Sequence, residues 1–437
     1  MKRVLTCGGG LLLSIALVST AFAGAIDNKT NWSAEYIRTL NRNAATDYAD
    51  VAAYNPAGTV KLADGFILNG SVQYLGKEYA NNITVAPNTV LPFESDESSL
   101  VPGLFGVYNR DRWSFFGAVT VVGGGGKVDF SQGNWTTTQI GGLLTSGMVP
   151  YLPLCPLGKD CENFNPTDLT GQKLEAESYY MGYTLGGAFE INDIFSVSAG
   201  IRYVNAKREA QGFITLLDAN YNPNTSYVLA VNYEQEGDGW GGIFGINIAP
   251  NDKLNIGMRY EMKTKLDLEA TVPVGVGAGV LQYLTPPIVN GQSNARDLPA
   301  TFGFGLSYWL TPQLRLETNY THYFNTDADW SGAEKNVDDG YDLGIALEYH
   351  FNESFLGSIG YLRTETGIEP QYMLPENPEL DANTIGAGIA YAINEKFHTN
   401  LSLGYVFYES DSFIAPPTVE YEKKIFFLAL GLEYRFL

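Results

Sequence analysis

Phe426-Phe427-Leu428-Ala429-Leu430-Gly431-Leu432-Glu433-Tyr434-Arg435-Phe436, at the end of the chain, alternates strictly. Phe426, Leu428, Leu430, Leu432, Tyr434 and Phe436 fall on one face, and Phe427, Ala429, Gly431, Glu433 and Arg435 on the other. Successive side chains of a strand point to opposite sides, so this is a strand with one lipid-like face and one mixed face. The same period returns upstream. Tyr179, Met181, Tyr183, Leu185 and Phe189 oppose Gly182, Thr184, Gly186, Ala188 and Glu190, and Ala300, Phe302, Phe304, Leu306 and Tyr308 oppose Thr301, Gly303, Gly305 and Ser307. Soluble sandwiches alternate as well, so the connections decide.

The pattern predicts fourteen strands, at about 65–77, 98–108, 112–122, 177–190, 194–210, 228–249, 254–269, 298–310, 314–325, 339–351, 355–365, 384–392, 397–408 and 424–437. Short turns at Asn109-Arg110-Asp111, Ile191-Asn192-Asp193, Pro250-Asn251-Asp252, Thr311-Pro312-Gln313, Asn352-Glu353-Ser354 and Ile393-Asn394-Glu395-Lys396 alternate with longer connections. Short on one side and long on the other is the pattern of bacterial outer-membrane barrels. An even count closes the sheet and leaves no backbone group unpaired in lipid. The expected fold is therefore all-β: a 14-stranded antiparallel transmembrane β-barrel crossing the outer membrane many times, with its short turns in the periplasm. Two strands are irregular. Pro102 cannot donate to a ladder and marks a bulge or local opening. The third strand begins cleanly with Trp113, Phe115, Gly117 and Val119, then runs into Gly123-Gly124-Gly125-Gly126, too flexible to keep a wall regular.

Composition agrees. The 437 residues include 28 Tyr, 23 Phe, 6 Trp and 48 Gly, while a mean hydropathy of −0.09 is too polar for a bundle of membrane helices. Met1-Lys2-Arg3, the apolar run Leu11–Val18 and Ala21-Phe22-Ala23 follow the order of a secretory signal peptide over 1–23; Cys7 precedes the apolar run, where a lipid-modified cysteine would follow it. No later stretch has the ~18 apolar residues of a spanning helix. Removing Lys2 and Arg3 takes the 27 basic residues to 25 against 48 acidic ones, a net charge of −23, which repels nucleic acid. Glu94, Asp96 and Glu97 read as loop acids that serve solubility. Cys155 and Cys161 are the cysteines left in an exported chain, and with Pro156 and Gly158 between them they are expected to form a disulfide. A zinc site would need more ligands than they offer.

Between leader and barrel, residues 24–64 contain Ala45-Thr46-Asp47-Tyr48-Ala49-Asp50-Val51-Ala52-Ala53-Tyr54-Asn55-Pro56-Ala57-Gly58. Pro56 predicts that an Ala-rich helical turn over 44–53 stops there, with Gly58 free to take a positive φ. The result is a compact, kinked plug ahead of a barrel over 65–437. An ordinary helix-stop linker is the bland alternative.

At this point the chain resembles the FadL type of outer-membrane long-chain fatty acid transporters, which includes hydrocarbon channels of the TodX type. The resemblance rests on Asp50–Gly58 ahead of the first strand, on Leu298-Pro299-Ala300-Thr301 opening a Gly-alternating strand, and on fourteen strands with an aromatic last one. It implies a barrel plugged by an N-terminal hatch, with ligand collected outside and released sideways through a gap by a distorted third strand. Asn55, Pro56, Ala57 and Gly58 would form the hatch motif set against that distortion, and Pro102 and Gly123–Gly126 the opening. In two respects the chain departs from the family. The segment Asn31–Arg38 is more polar than the family's usual start, and the chain ends at Leu437, one residue past the terminal aromatic.

Two connections are oddly apolar, 140–152 and 272–284. Exposed apolar patches mark interaction surfaces, so Leu143, Leu144, Met148, Val280, Leu281 and Leu284 are expected to make a groove for a hydrophobic ligand; mutual packing as a lid is the alternative. By alternation Ile67, Leu75, Phe116 and Ile243 face inward with Arg202, Arg259 and Lys263. Apolar walls with a few cations suit an amphiphilic anion, although Arg259, Glu261 and Lys263 also read as an internal charge ladder. An outer-membrane barrel enzyme acting on lipids is the rival class, but His322, His350 and His398 do not converge on a serine, and no phosphate loop or metal-spaced cluster occurs. A non-specific porin is the other rival, though an open lumen has no use for a plug. The expectation is a channel for hydrophobic compounds that works without cofactor or metal, as a single chain among outer-membrane lipid and lipopolysaccharide.

Overall fold

A computed structural model describes residues 33–146, 167–218, 226–273, 281–282, 284, 286–414 and 417–436. The wall strands are β1 (Gly65–Ala86), β2 (Thr89–Arg110), β3 (Trp113–Phe130), β4 (Asp168–Glu190), β5 (Phe195–Leu217), β6 (Ser226–Asn251) and β7 (Leu254–Glu261). They continue as β8 (Ala300–Trp309), β9 (Leu314–Phe324), β10 (Gly340–His350), β11 (Phe355–Glu365), β12 (Ala382–Ala392), β13 (Phe397–Tyr408) and β14 (Thr418–Phe436). Each pairs antiparallel with its neighbours in sequence order, and the sheet closes into a 14-stranded barrel. Phe66 of β1 lies opposite both Tyr108 of β2 and Phe436 of β14. Closure explains the alternation. Leu185, Ile201, Leu343, Ile359, Leu403 and Leu428 turn outward and stay exposed, where the solvent is hydrocarbon. Short accessory strands at Asp267–Thr271, Ser293–Ala295 and Asp411–Ile414 extend the long-loop end.

The strands outrun the sequence-based limits. Residues 78–97 form no loop: β1 and β2 continue as a hairpin to Pro87-Asn88, where Asn88 takes φ 66. Glu94, Asp96 and Glu97 therefore belong to β2, because Tyr79, Ile83 and Phe93 give this extension a buried face. The strand expected over 254–269 leaves the wall after Glu261, and its remainder pairs with the outer part of β6. Residues 135–145, which include the first half of an expected apolar loop, form helix α3 (Trp135–Thr145), started by a capping box in which Asn134 Oδ1 accepts from Thr137 N and Thr137 Oγ1 accepts from Asn134 N.

Residues 33–64 lie inside the barrel as a plug. Helix α1 (Ala34–Thr39) starts at Ser33, whose Oγ accepts from Tyr36 N at 3.0 Å. Helix α2 is a single turn, Val51–Tyr54, shorter than the helical turn expected over 44–53. The α-helix does stop before Pro56, with Asn55 out of helical geometry at φ -137, ψ 69, and Pro56 then opens a separate 3-10 helix, Pro56–Lys61, at the position where its missing N–H costs nothing. Gly58 is not among the positive-φ residues. It is needed for space, since a Cβ there would sit 2.4 Å from Asn55 Nδ2. The polarity of α1 is explained by what it meets. Arg38 pairs with Glu348 of β10, both buried, and Asn400 Nδ2 of β13 donates to Glu35 Oε1 at 2.9 Å. Arg42 binds Asp50 (2.5 Å) and Asp47 (2.7 Å), and Arg315 of β9 reaches Asp47 at 2.8 Å. Inward glycines let the plug backbone approach closely: a Cβ at Gly360 would lie 1.8 Å from Thr39 O.

Candidate functional site

Above the plug, at the long-loop end, α3 packs against β4 and β5. Ile140, Leu143 and Leu144 of the helix face Leu281, Leu284 and Ile288 across a cavity of about 170 Å³. The two apolar stretches singled out in the sequence thus line one space, with Leu174, Ile214, Leu229 and Val231 of the wall completing it. Met148 and Val280 lie outside the described residues, as do Cys155, Cys161 and residues 1–23.

Two guanidinium groups join this lining, Arg208 of β5 and Arg296 of the connection between β7 and β8. Arg296 Nη1 donates to Trp330 O at 3.0 Å. Burial, and then the like charge of Arg208, pull Arg296 down to about 9, which leaves it a cation at neutral pH. Glu177, Glu209 and Glu376 also line the cavity, so its polar edge carries both signs. The sequence reading missed both arginines. Arg208 has the parity of the inward Arg202 and was legible by counting twos along β5, whereas nothing local marks Arg296.

The expected lumen residues divide. Ile67, Phe116 and Ile243 are buried inside, and Leu75 packs against the same core. Arg202 and Arg259 are inside too, but both bind Glu261, at 2.7 and 3.4 Å; the first pair braces β5 to β7, and the second lies within β7. Lys263 does not join them. The chain has left the wall by then, and its Nζ meets Asp297 at 3.3 Å and Asp327 O at 2.7 Å.

The wall is interrupted between β2 and β3. Their ladder ends at Gly103–Thr120, and the next residue of β2 is Pro102. No bulge occurs there: the β1–β2 register runs unbroken through Val72–Pro102. Beyond Val119 the exposed–buried alternation of β3 is lost and the strand turns into the lumen. Its pairing with β4 shifts between Val121, Gly123 and Gly126. Gly124 and Gly126 take φ 93 and 69, and a Cβ at Gly126 would lie 2.3 Å from Ser99 Oγ. Ser95 Oγ accepts from Asp129 N at 2.9 Å, a side chain standing where a main-chain partner would be. Gly125 and Gly126 line the cavity directly.

The Asn55-Pro56-Ala57 element is elsewhere. Asn55 Nδ2 donates to Ala45 O (3.0 Å) and to Asn247 Oδ1 of β6 (2.8 Å), and Ser196 Oγ of β5 donates to Ala57 O at 2.7 Å. Ser196 and Asn247 flank the short turns, so the motif seals the plug against β5 and β6 at the periplasmic end and is not set against the glycine run. Its amide is the only side chain of the motif that can bond, and β6 supplies the matching carboxamide.

A family model described as outer membrane protein transport protein (OMPP1/FadL/TodX) matches residues 157–436. No curated protein sequence matches the chain. Among solved structures, a Pseudomonas aeruginosa FadL homologue is 15% identical with a TM-score of 0.64, over 96% of this chain and 100% of that one. The P. putida toluene transporter TodX is 13% identical with a TM-score of 0.60, over 91% and 97%. The Ralstonia pickettii toluene transporter TbuX is 15% identical with a TM-score of 0.59, over 94% and 100%. These likenesses establish a shared barrel fold, and the family match over most of the chain establishes more: the protein belongs to the OMPP1/FadL/TodX family of outer-membrane transport proteins.

Proposed function

We propose that the protein takes up hydrophobic compounds, long-chain fatty acids or similar lipids and hydrocarbons, by passive transport with no chemical step. Ligand enters the cavity between α3 and Leu281, Leu284 and Ile288 from outside and leaves sideways through the break between β2 and β3. The carrying observation is that Gly125 and Gly126, at the break, are also part of the cavity lining. An apolar ligand that moves from cavity to hydrocarbon stays out of water, whereas passage into the periplasm would forfeit about 0.8 kcal/mol per methylene. The plug, held from below, supports this reading by filling the straight route that an open porin would leave free. Arg208 and Arg296 favour ligands with an anionic head group. The protein acts as a single chain, surrounded by outer-membrane lipid and lipopolysaccharide.

The test cross-links the break. Cysteines at Pro102 and Val121, one step beyond the last β2–β3 pair, are oxidised in the folded protein and uptake of a labelled fatty acid is measured with and without reductant. Uptake is expected to fall on oxidation and return on reduction. Full-rate uptake by the oxidised protein means that ligand passes the plug instead.

A further inference from the structure

Two buried lysines reach the break from inside. Lys77 of β1 is 2% exposed, and its Nζ donates to the main-chain oxygens of Gly125 (2.8 Å) and Lys127 (2.6 Å), in the part of β3 that has parted from β2. Lys423 of β14 is 3% exposed, and its Nζ donates to Asn377 Oδ1 (2.9 Å) and Pro378 O (3.2 Å). It also lies 4.7 and 5.0 Å from the ring centres of Tyr79 and Tyr408. Asn377 belongs to the connection between β11 and β12, which folds over the cavity and is tied by Asn81 Nδ2 to Pro375 O (3.0 Å) and by Asn134 Nδ2 to Glu376 Oε1 (3.2 Å). Lys423 stands opposite Tyr79 in the β1–β14 ladder, so neighbouring strands hold the two banks of one passage. The banks touch: a Cβ on Gly125 would meet the Asn377 side chain at 3.3 Å.

We infer that Lys77 is a specificity-determining gate residue: it keeps the break closed through the Gly125 and Lys127 carbonyls and releases them to an anionic head group, not to a neutral ligand of equal length. This rests on the sideways route proposed above. Two of the acceptors of Lys77 are neutral main-chain oxygens, and a carboxylate is the stronger acceptor for an ammonium. A carboxylate whose tail still fills the cavity arrives at Gly125 and exchanges for those oxygens without returning the ammonium to water. The freed carbonyls belong to a segment with no β2 ladder, so β3 can part further from β2 there, staying paired with β4 over Gly126–Phe130. A hydroxyl or a bare hydrocarbon offers no such exchange.

The experiment compares uptake of radiolabelled oleate and oleyl alcohol by cells carrying the full chain as their one transporter of this kind. The wild type is expected to take up oleate about tenfold faster, the worth of one charge-assisted exchange. In Lys77→Met, which keeps length and loses the donors, the ratio is expected to fall to about one. An unchanged ratio in the folded variant, a ratio of about one in the wild type, or an equal loss of both ligands overturns the proposal, the last because it marks a mere brace. Should Lys77→Met not assemble into a barrel, Lys77→Gln keeps two donors without the charge; it too must lose the preference, and its retention there refutes the gate. Failure of the sideways route shows separately, as full uptake by the cross-linked protein, whereas the gate is read from the ratio of two ligands.

Discussion

Glu348→Leu should unseat the plug and leave the barrel standing. Glu348 is buried between Arg38 of the plug and Arg315 of β9, with Arg315 Nη2 at 2.8 Å and His350 Nε2 at 2.8 Å. Among the described ion pairs it is the one carboxylate that meets Arg38, whereas Arg315 keeps Asp47 at 2.8 Å and Glu317 at 3.2 Å. Removing it strands a guanidinium that is wholly buried, and breaking such a pair from one side costs about 3–5 kcal/mol. Wall pairing does not depend on this side chain, because β10 is held to β9 and β11 by its main chain. The cost therefore falls on the seated plug, raising its unseated fraction by roughly two to three and a half powers of ten. Limited trypsinolysis in detergent, read by mass, should show new cuts after Arg38 or Arg42, and planar bilayers should show frequent openings, while heat-modifiable mobility on gels stays unchanged. The double replacement Arg38→Met with Glu348→Leu should restore most of the protection, since an apolar pair of similar volume leaves no buried charge. A folded Glu348→Leu protein that resists trypsin like the wild type, with no added openings, refutes the view that this pair holds the plug.

The Glu35 carboxyl is pushed up to about 8, first by burial and then by the Asp50 charge. Its seated form therefore holds a proton that the unseated form, near the ordinary 4.5, gives up; this contribution is complete below about pH 4.5, weakens as pH rises and is gone above about 8. Plug protection should fall by up to tenfold per pH unit within that window and be flat above it, and Glu35→Gln should flatten the trypsin profile. Gly360→Ala drives a methyl into Thr39 O, a main-chain atom that cannot swing away; about 1–3 kcal/mol of strain should loosen the plug, seen as the same cuts with an intact barrel. Replacing Leu143, Leu144 and Leu281 by Ser removes apolar lining worth up to about 1.5–3 kcal/mol each on full contact, so displacement of a fluorescent fatty acid should show affinity lowered more than tenfold in a normally mobile barrel.

The sequence by itself determined the wall: fourteen strands, their order, the short turns and the lipid-facing side are all local consequences of a period of two, because a pleated chain in hydrocarbon has no other way to satisfy its backbone. It also marked where the wall fails, since Pro102 lacks a donor and four glycines lack side chains wherever they stand. Only the tertiary structure decided which residues meet across the lumen. Arg38 and Glu348 are 310 positions apart, and their pairing depends on how the closed barrel staggers its strands. For the same reason Asn55 found β6 and not the glycine run, Arg296 came to Arg208, and Lys77 and Lys423 came to opposite banks of one passage. Such contacts belong to closure, which brings the first strand beside the last and turns the plug toward every strand at once; no spacing along the chain encodes that.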